Sequence, residues 1–218
     1  LSSSFNVADF LTQLAVILFA ISFHESAHAW TALKCGDPTA RDLGRISLNP
    51  IRHIDPFGSV ILPILLYLSS GLLFGYAKPT PVQLERTRNP RLANVLVSGA
   101  GPVSNLLLGA FGVLVLVLLN KARFPQYEQS VLAPLWQIAV SFVRVNISLG
   151  VFNLIPIPPL DGSWVLAAVF GEPARLFFAQ MGRFGFIILI VLSYTGILGR
   201  IMSPILGAIF GLIQRILA

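Results

Sequence analysis

Residues 7–33 read VADFLTQLAVILFAISFHESAHAWTAL. A helix needs about 20 mostly apolar residues to cross a bilayer, and this stretch is long enough. Its second half nevertheless carries His24, Glu25 and His28. Ionisable groups are costly inside a membrane segment, so they read as functional. The stretch does not read as a signal peptide, because no basic region precedes it and its polar chemistry lies in its second half. On a helix, His24 and His28 stand at i and i+4, one turn apart on one face. Two neutral imidazoles so placed can bind one Zn²⁺, and the adjacent Glu25 can take a proton from an attacking water.

The remainder of the chain extends the membrane reading. Of 218 residues, 55% are apolar and only 11% are charged. A soluble domain averages about 25% charged residues and needs them to coat its surface. Further apolar runs cover 57–76, 92–119, 131–155, 184–199 and 201–216, with Arg144 inside the third of these. The expected fold is an all-α polytopic membrane protein with about five spanning helices plus a re-entrant segment. A single domain is expected over 1–218, with a catalytic core at about 7–170 and a C-terminal helical hairpin at about 176–218. The net charge of +6 sits between apolar runs. That pattern marks a bilayer side, whereas a nucleic-acid binder shows a basic face on a polar domain. Cys35 is alone, which excludes an intrachain disulfide and a Cys-rich metal site. Gly207 and Gly211 form a GxxxG that predicts close helix contact.

Two histidines leave a zinc site short of a ligand, since catalytic sites usually have three plus an open position. Asp161 follows the proline-broken end Asn153-Leu-Ile-Pro-Ile-Pro-Pro-Leu-Asp161-Gly162, where irregular backbone can line a polar cavity. His53 is the alternative ligand; it could also contact substrate at the mouth of the site or bond its own turn. Glu85, Glu128 and Glu172 lie in loops among arginines and read as solvated charges. Asn105 and Asn153 fall where water is scarce. Each can donate to a developing oxyanion or make an interhelical hydrogen bond.

Together, His24-Glu25-x-x-His28, Gly101-Pro102-Val103-Ser104-Asn105 and the proline-rich Leu160-Asp161-Gly162 resemble the site-2 protease family of intramembrane zinc metalloproteases. Asn49–Gly58 and Gly75–Pro79 resemble its compact bacterial members, and the likeness covers about residues 15–170. The resemblance implies one Zn²⁺ per chain held by His24, His28 and Asp161, with Glu25 as general base and Asn105 and Asn153 at the active site. It implies a transmembrane protein or peptide as substrate, a lipid bilayer as surroundings and a bacterial plasma (inner) membrane as location. No PDZ or CBS module is legible, which leaves access to be controlled by a regulatory membrane partner or a homo-oligomer. Many members also carry a helix before the His-Glu helix, for which this sequence leaves no room. A reading from another class is a zinc or metal transporter, or a non-catalytic metal-binding scaffold. A transporter repeats acidic or His groups along a path, whereas this sequence shows one cluster.

Topology gives an independent expectation. His24 and Asp161 can share a zinc only if 57–76 enters the membrane and returns to the same side. That arrangement leaves eleven basic residues on one side and three on the other, with Arg144 between. The positive-inside rule then turns the active site toward the cytoplasm. A short β-hairpin near the active site, edged by Arg45–Leu48, is expected to receive an unwound substrate.

Overall fold

The computed structural model describes residues 7–61, 64–65, 76–121 and 133–218. Eight α-helices are described: α1 Val7–Cys35, α2 Thr39–Asp42, α3 Pro90–Lys121, α4 Ala133–Asn153, α5 Asp161–Phe170, α6 Glu172–Gly182, α7 Gly185–Tyr194 and α8 Ile197–Leu217. Four of them, α1, α3, α4 and α8, are long and apolar enough to span a membrane. A fifth span arises only if α6 and α7, bent by 71°, count as one. The chain is therefore an all-α integral membrane protein.

The centre of the bundle is the antiparallel pair α3 and α4. Without a hydrophobic driving force between helices in lipid, close backbone approach supplies the packing energy. A Cβ on Gly109 would stand 2.6 Å from Ile147 Cγ1, and one on Gly112 would stand 2.7 Å from Val143 Cγ2. Leu116, Val143, Ile147 and Val151 form the core there, covered by Leu206, Ile209, Phe210 and Ile213 of α8. At Gly207 and Gly211, by contrast, an added Cβ would meet no atom within 4 Å, so the expected GxxxG contact is not made among the described residues.

Two further expectations change. Across 176–218 only α8 is long enough to span by itself, and α7 is a ten-residue helix joined to α6 at a 71° bend. Gly196, at φ +73°, ends α7 after ten residues, too few to cross. Leu189 of α7 and Leu198 of α8 both pack beside Ile155 and Leu160, near Asp161. At its other end α8 reaches the end of α3, where Asn120 Nδ2 donates to the Leu217 carbonyl (2.5 Å). Thus α8 runs away from the Asp161 side, opposite to the direction expected. The β-hairpin is also not found: there is no strand among the described residues. Around Arg45–Leu48 the carbonyls of Arg52, Lys78 and Pro79 are taken by the Arg45 guanidinium instead of a ladder. Pro79 and Pro81 remove the donors a second strand would need.

Most of 57–76 lies outside the described residues, but its ends meet. Tyr76 N donates to the Gly58 carbonyl (3.0 Å), and Ser59 Oγ donates to the Tyr76 carbonyl (2.7 Å). The expected re-entrant path between these ends lies outside the described residues.

Candidate metal centre

The i, i+4 spacing on α1 brings the rings of His24 and His28 to 4.6 Å between centroids. Their orientation comes from α3. His24 Nδ1 donates to Asn105 Oδ1 (2.6 Å), and His28 Nδ1 donates to the Val97 carbonyl (2.6 Å). Asn105 Nδ2 itself donates to the Ala20 carbonyl (3.1 Å) and to Asn146 Oδ1 (3.0 Å), which settles which end of its amide faces His24. With both Nδ1 protons so engaged, each Nε2 presents a lone pair, the state a metal requires.

Those lone pairs converge on a carboxylate. Asp161 Oδ2 lies 3.0 Å from His24 Nε2 and 3.5 Å from His28 Nε2. It opens α5, just after the turn in which Leu160 N donates to the Ile157 carbonyl (2.9 Å). Gly162 is required next, because any Cβ there would strike the Leu154 carbonyl. Arg91, near the start of α3, secures the far end of α5 by donating to the carbonyls of Ala168 (2.8 Å) and Val169 (2.6 Å). A cation suits a helix C-terminus.

Three atoms able to ligate a metal, one from each residue, lie within 4.8 Å of one another. Asp161 Oδ2 is buried without a hydrogen-bond donor. Two lone pairs and a carboxylate oxygen facing one point repel unless a cation sits between them. Space for it is kept by Gly101, whose Cβ would meet Nε2 of both histidines, at 2.5 Å for His24. The N₂O donor set and the room left for it fit Zn²⁺.

Glu25 sits next to the set and is held from outside α1. Thr80 N (2.9 Å) and Thr80 Oγ1 (2.7 Å) both donate to Glu25 Oε2, and Oε1 has no bond among the described residues. In Pro79-Thr80-Pro81 only Thr80 has an N–H, so this strap has one backbone donor to offer and spends it on Glu25. Arg45 grips one end of the strap through the Lys78 and Pro79 carbonyls. Asp37 grips the other, accepting from Gln83 N (2.6 Å), Thr39 N (3.0 Å) and Thr39 Oγ1 (2.5 Å). Residue-type reasoning missed Thr80 and Asp37; the lone N–H between two prolines was the available signal. Replacing Thr80 by Val is expected to lower the turnover rate by about tenfold through loss of one charged hydrogen bond, while Thr80→Ser restores it. Steady-state kinetics with zinc content measured in parallel checks this.

Burial pushes the Asp37 carboxyl up, but the bonds from Thr39 and Gln83 and the nearby Arg86 charge outweigh it, so its pKa is lowered. A lowered folded-state pKa means the contribution is full above the unfolded value, about 3.9, and is lost as pH falls through the folded value. Amide exchange at Gln83 should therefore accelerate below about pH 4. In an Asp37→Asn variant that acid-dependent step should vanish.

Three other sequence candidates fall elsewhere. Asn105 is fully buried with both N–H groups committed, so it orients His24 and has none left for an oxyanion. Asn153 donates back to the Leu149 carbonyl of its own helix (3.0 Å). His53 is buried against α1, with Nε2 donating to the Ser47 carbonyl (2.7 Å), which Ser26 Oγ also reaches (2.5 Å). It is outside the ligand cluster.

Comparison with known proteins agrees with this chemistry. The chain is 41% identical over 204 residues to YwhC of Bacillus subtilis (strain 168), a protein named as a zinc metalloprotease, covering 91% of this chain and 88% of that one. The chain belongs to peptidase family M50. The M50 family model itself matches residues 123–192, the part that holds Asp161. Rip2 of Mycolicibacterium smegmatis, named likewise, is 30% identical over 194 residues, covering 89% of this chain and 71% of that protein. Rip2 of Mycobacterium tuberculosis H37Rv is 29% identical over 184 residues, covering 84% and 66%. No solved structure matches. As an M50 member of the site-2 protease type, the chain is a membrane-embedded zinc metalloprotease, with Zn²⁺ as its cofactor.

Proposed function

We propose that this protease cuts peptide bonds of membrane-protein substrates within or near the bilayer, with His24, His28 and Asp161 holding zinc and Glu25 as general base. The observation that carries the reading is the cluster itself, two histidines inside a membrane-length helix facing Asp161, beside the Glu25 carboxylate whose Oε1 has no bond among the described residues. His24 lies eleven residues before the end of α1, about 16 Å along the axis. Zinc supplies a Lewis acid that acidifies water and polarises the scissile carbonyl. Glu25 Oε1 takes the proton and later passes it to the leaving amine, while Thr80 keeps Oε2 in place. Asn105 and the Val97 carbonyl hold the imidazoles in register. A substrate helix must unwind locally, because its carbonyls are otherwise bonded within the helix.

The whole span 1–218 is read as one domain, with 7–170 as the catalytic core. The orientation follows from charge. Lys34, Arg41, Arg45, Arg52, Lys78, Arg86, Arg88, Arg91, Arg175, Arg183 and now Arg200 lie toward the Asp161 side. Lys121 and now Arg215 fall to the other, while Arg123 lies outside the described residues. The reversed α8 exchanges Arg200 with Arg215, so the excess stays on the Asp161 side, eleven to two among the described residues outside the mid-span Arg144. By the positive-inside rule the centre faces the cytoplasm of a bacterial inner membrane. Mapping the cut in a reconstituted single-span substrate tests the proposal. Cleavage is expected within about ten residues of the cytoplasmic membrane boundary, about 15 Å of helix, and should disappear on chelation and return with Zn²⁺. Cleavage confined to extramembrane loops would overturn it.

A further inference from the structure

Helix α4 packs on α3 through Val143, Asn146, Ile147 and Gly150, Phe142 meets Phe19 of α1, and α8 covers the side around Val143, Ile147 and Val151. Its remaining face is unusual for a membrane helix. Gln137, Ser141, Arg144 and Ser148 follow one another at spacings of four, three and four residues. At 3.6 residues per turn they fall within about 60° of one another. Gln137 and Arg144 are exposed, and Ser141 and Ser148 are half-exposed. Among the described residues none of the four has a polar partner. Ser22, Asn146, Asn153 and Thr195 each bond the carbonyl four residues back on their own helix. The stripe forgoes even that.

Arg144 is nine residues from Asn153 and ten from Pro134 in a 20-residue span. It therefore stands about 14 Å from either end, farther than its side chain can snorkel to headgroups. An unpaired guanidinium there calls for a partner carboxylate. A second copy of the chain does not supply one: the carboxylates in its membrane-length helices are Asp9, at the far end of α1, and Glu25, already held by Thr80. Asp161 faces the two histidines.

We propose that this face of α4 docks a transmembrane helix of another membrane protein that carries one carboxylate at mid-membrane. The four-three-four spacing is the seam of a left-handed helix pair, with Ser141 and Ser148 small enough for close approach and Gln137 and Arg144 supplying the polar contacts. Ser148 is two residues beyond Asn146, which bonds the asparagine that orients His24. The docked helix thus runs up to the depth of the metal centre.

Disulfide trapping in phosphatidylcholine vesicles tests this. The full chain carries Cys35→Ser, Ser141→Cys and Glu25→Gln, the last to keep the probe uncut. The probe is an oligo-leucine transmembrane peptide with one central Glu and a cysteine one turn away. Trapping is expected to be at least tenfold more efficient than for the same peptide with a central Leu. Arg144→Leu should abolish that preference, and Arg144→Glu should transfer it to a central-Lys peptide. Equal trapping of the Glu and Leu peptides by the chain with Arg144 intact would overturn the proposal without recourse to any Arg144 variant. So would trapping of a second copy through Ser141→Cys in place of the peptide.

Discussion

Glu25→Gln is expected to keep a full equivalent of zinc while proteolysis falls about 10²- to 10⁴-fold, the usual share of a positioned general base. The carboxamide has nearly the shape of the carboxylate, and its oxygen can still accept from Thr80 N and Oγ1, which now bond Oε2 at 2.9 and 2.7 Å. What it cannot do is take a proton. Because Glu25 stands outside the cluster of His24, His28 and Asp161, the metal should stay. Zinc stoichiometry and turnover on one preparation separate the outcomes. Loss of zinc along with activity would make Glu25 a ligand, and retained turnover would remove it from the chemistry.

The second large effect is expected at a residue with no side chain. Gly101→Ala places a methyl group against Nε2 of both His24 and His28, at 2.5 Å from the former, nearer than real Cβ atoms come. Neither ring can swing aside without breaking its Nδ1 bond to Asn105 or Val97, each 2.6 Å. Zinc affinity should fall at least 10- to 100-fold, the loss typical when ligand orientation is disturbed. Gly99→Ala is the control on the same helix, since nothing lies within 4 Å of its Cβ position, and it should bind zinc as the parent does. A Gly101→Ala protein with undiminished zinc affinity would contradict the assigned centre.

His24, Glu25 and His28 could be named from spacing alone, because a helix turns i and i+4 onto one face whatever surrounds it. Asp161 was within reach because three prolines in four residues end a helix wherever they occur. Asn105 was visible as a residue but not as a role. An amide can donate or accept, and only its neighbours show that its oxygen accepts the hydrogen bond from His24 Nδ1 while its N–H groups go to Ala20 and Asn146. His53 was ambiguous for the same reason, and its contacts with Ser47 tie it to the loop.

Composition, periodicity and local spacing were therefore sufficient for the membrane class, the histidine face and the broken helix before Asp161. Each of these follows from backbone geometry or from solvent preference over a few turns. The tertiary structure alone decided that Thr80, 55 positions away, holds Glu25; that Gly101 leaves room beside the Nε2 atoms of His24 and His28; that α8 runs away from Asp161; and that the polar stripe of α4 has no polar partner among the described residues. These depend on which distant segments meet, and pairing across a bundle is set by packing and hydrogen bonding that no local pattern encodes.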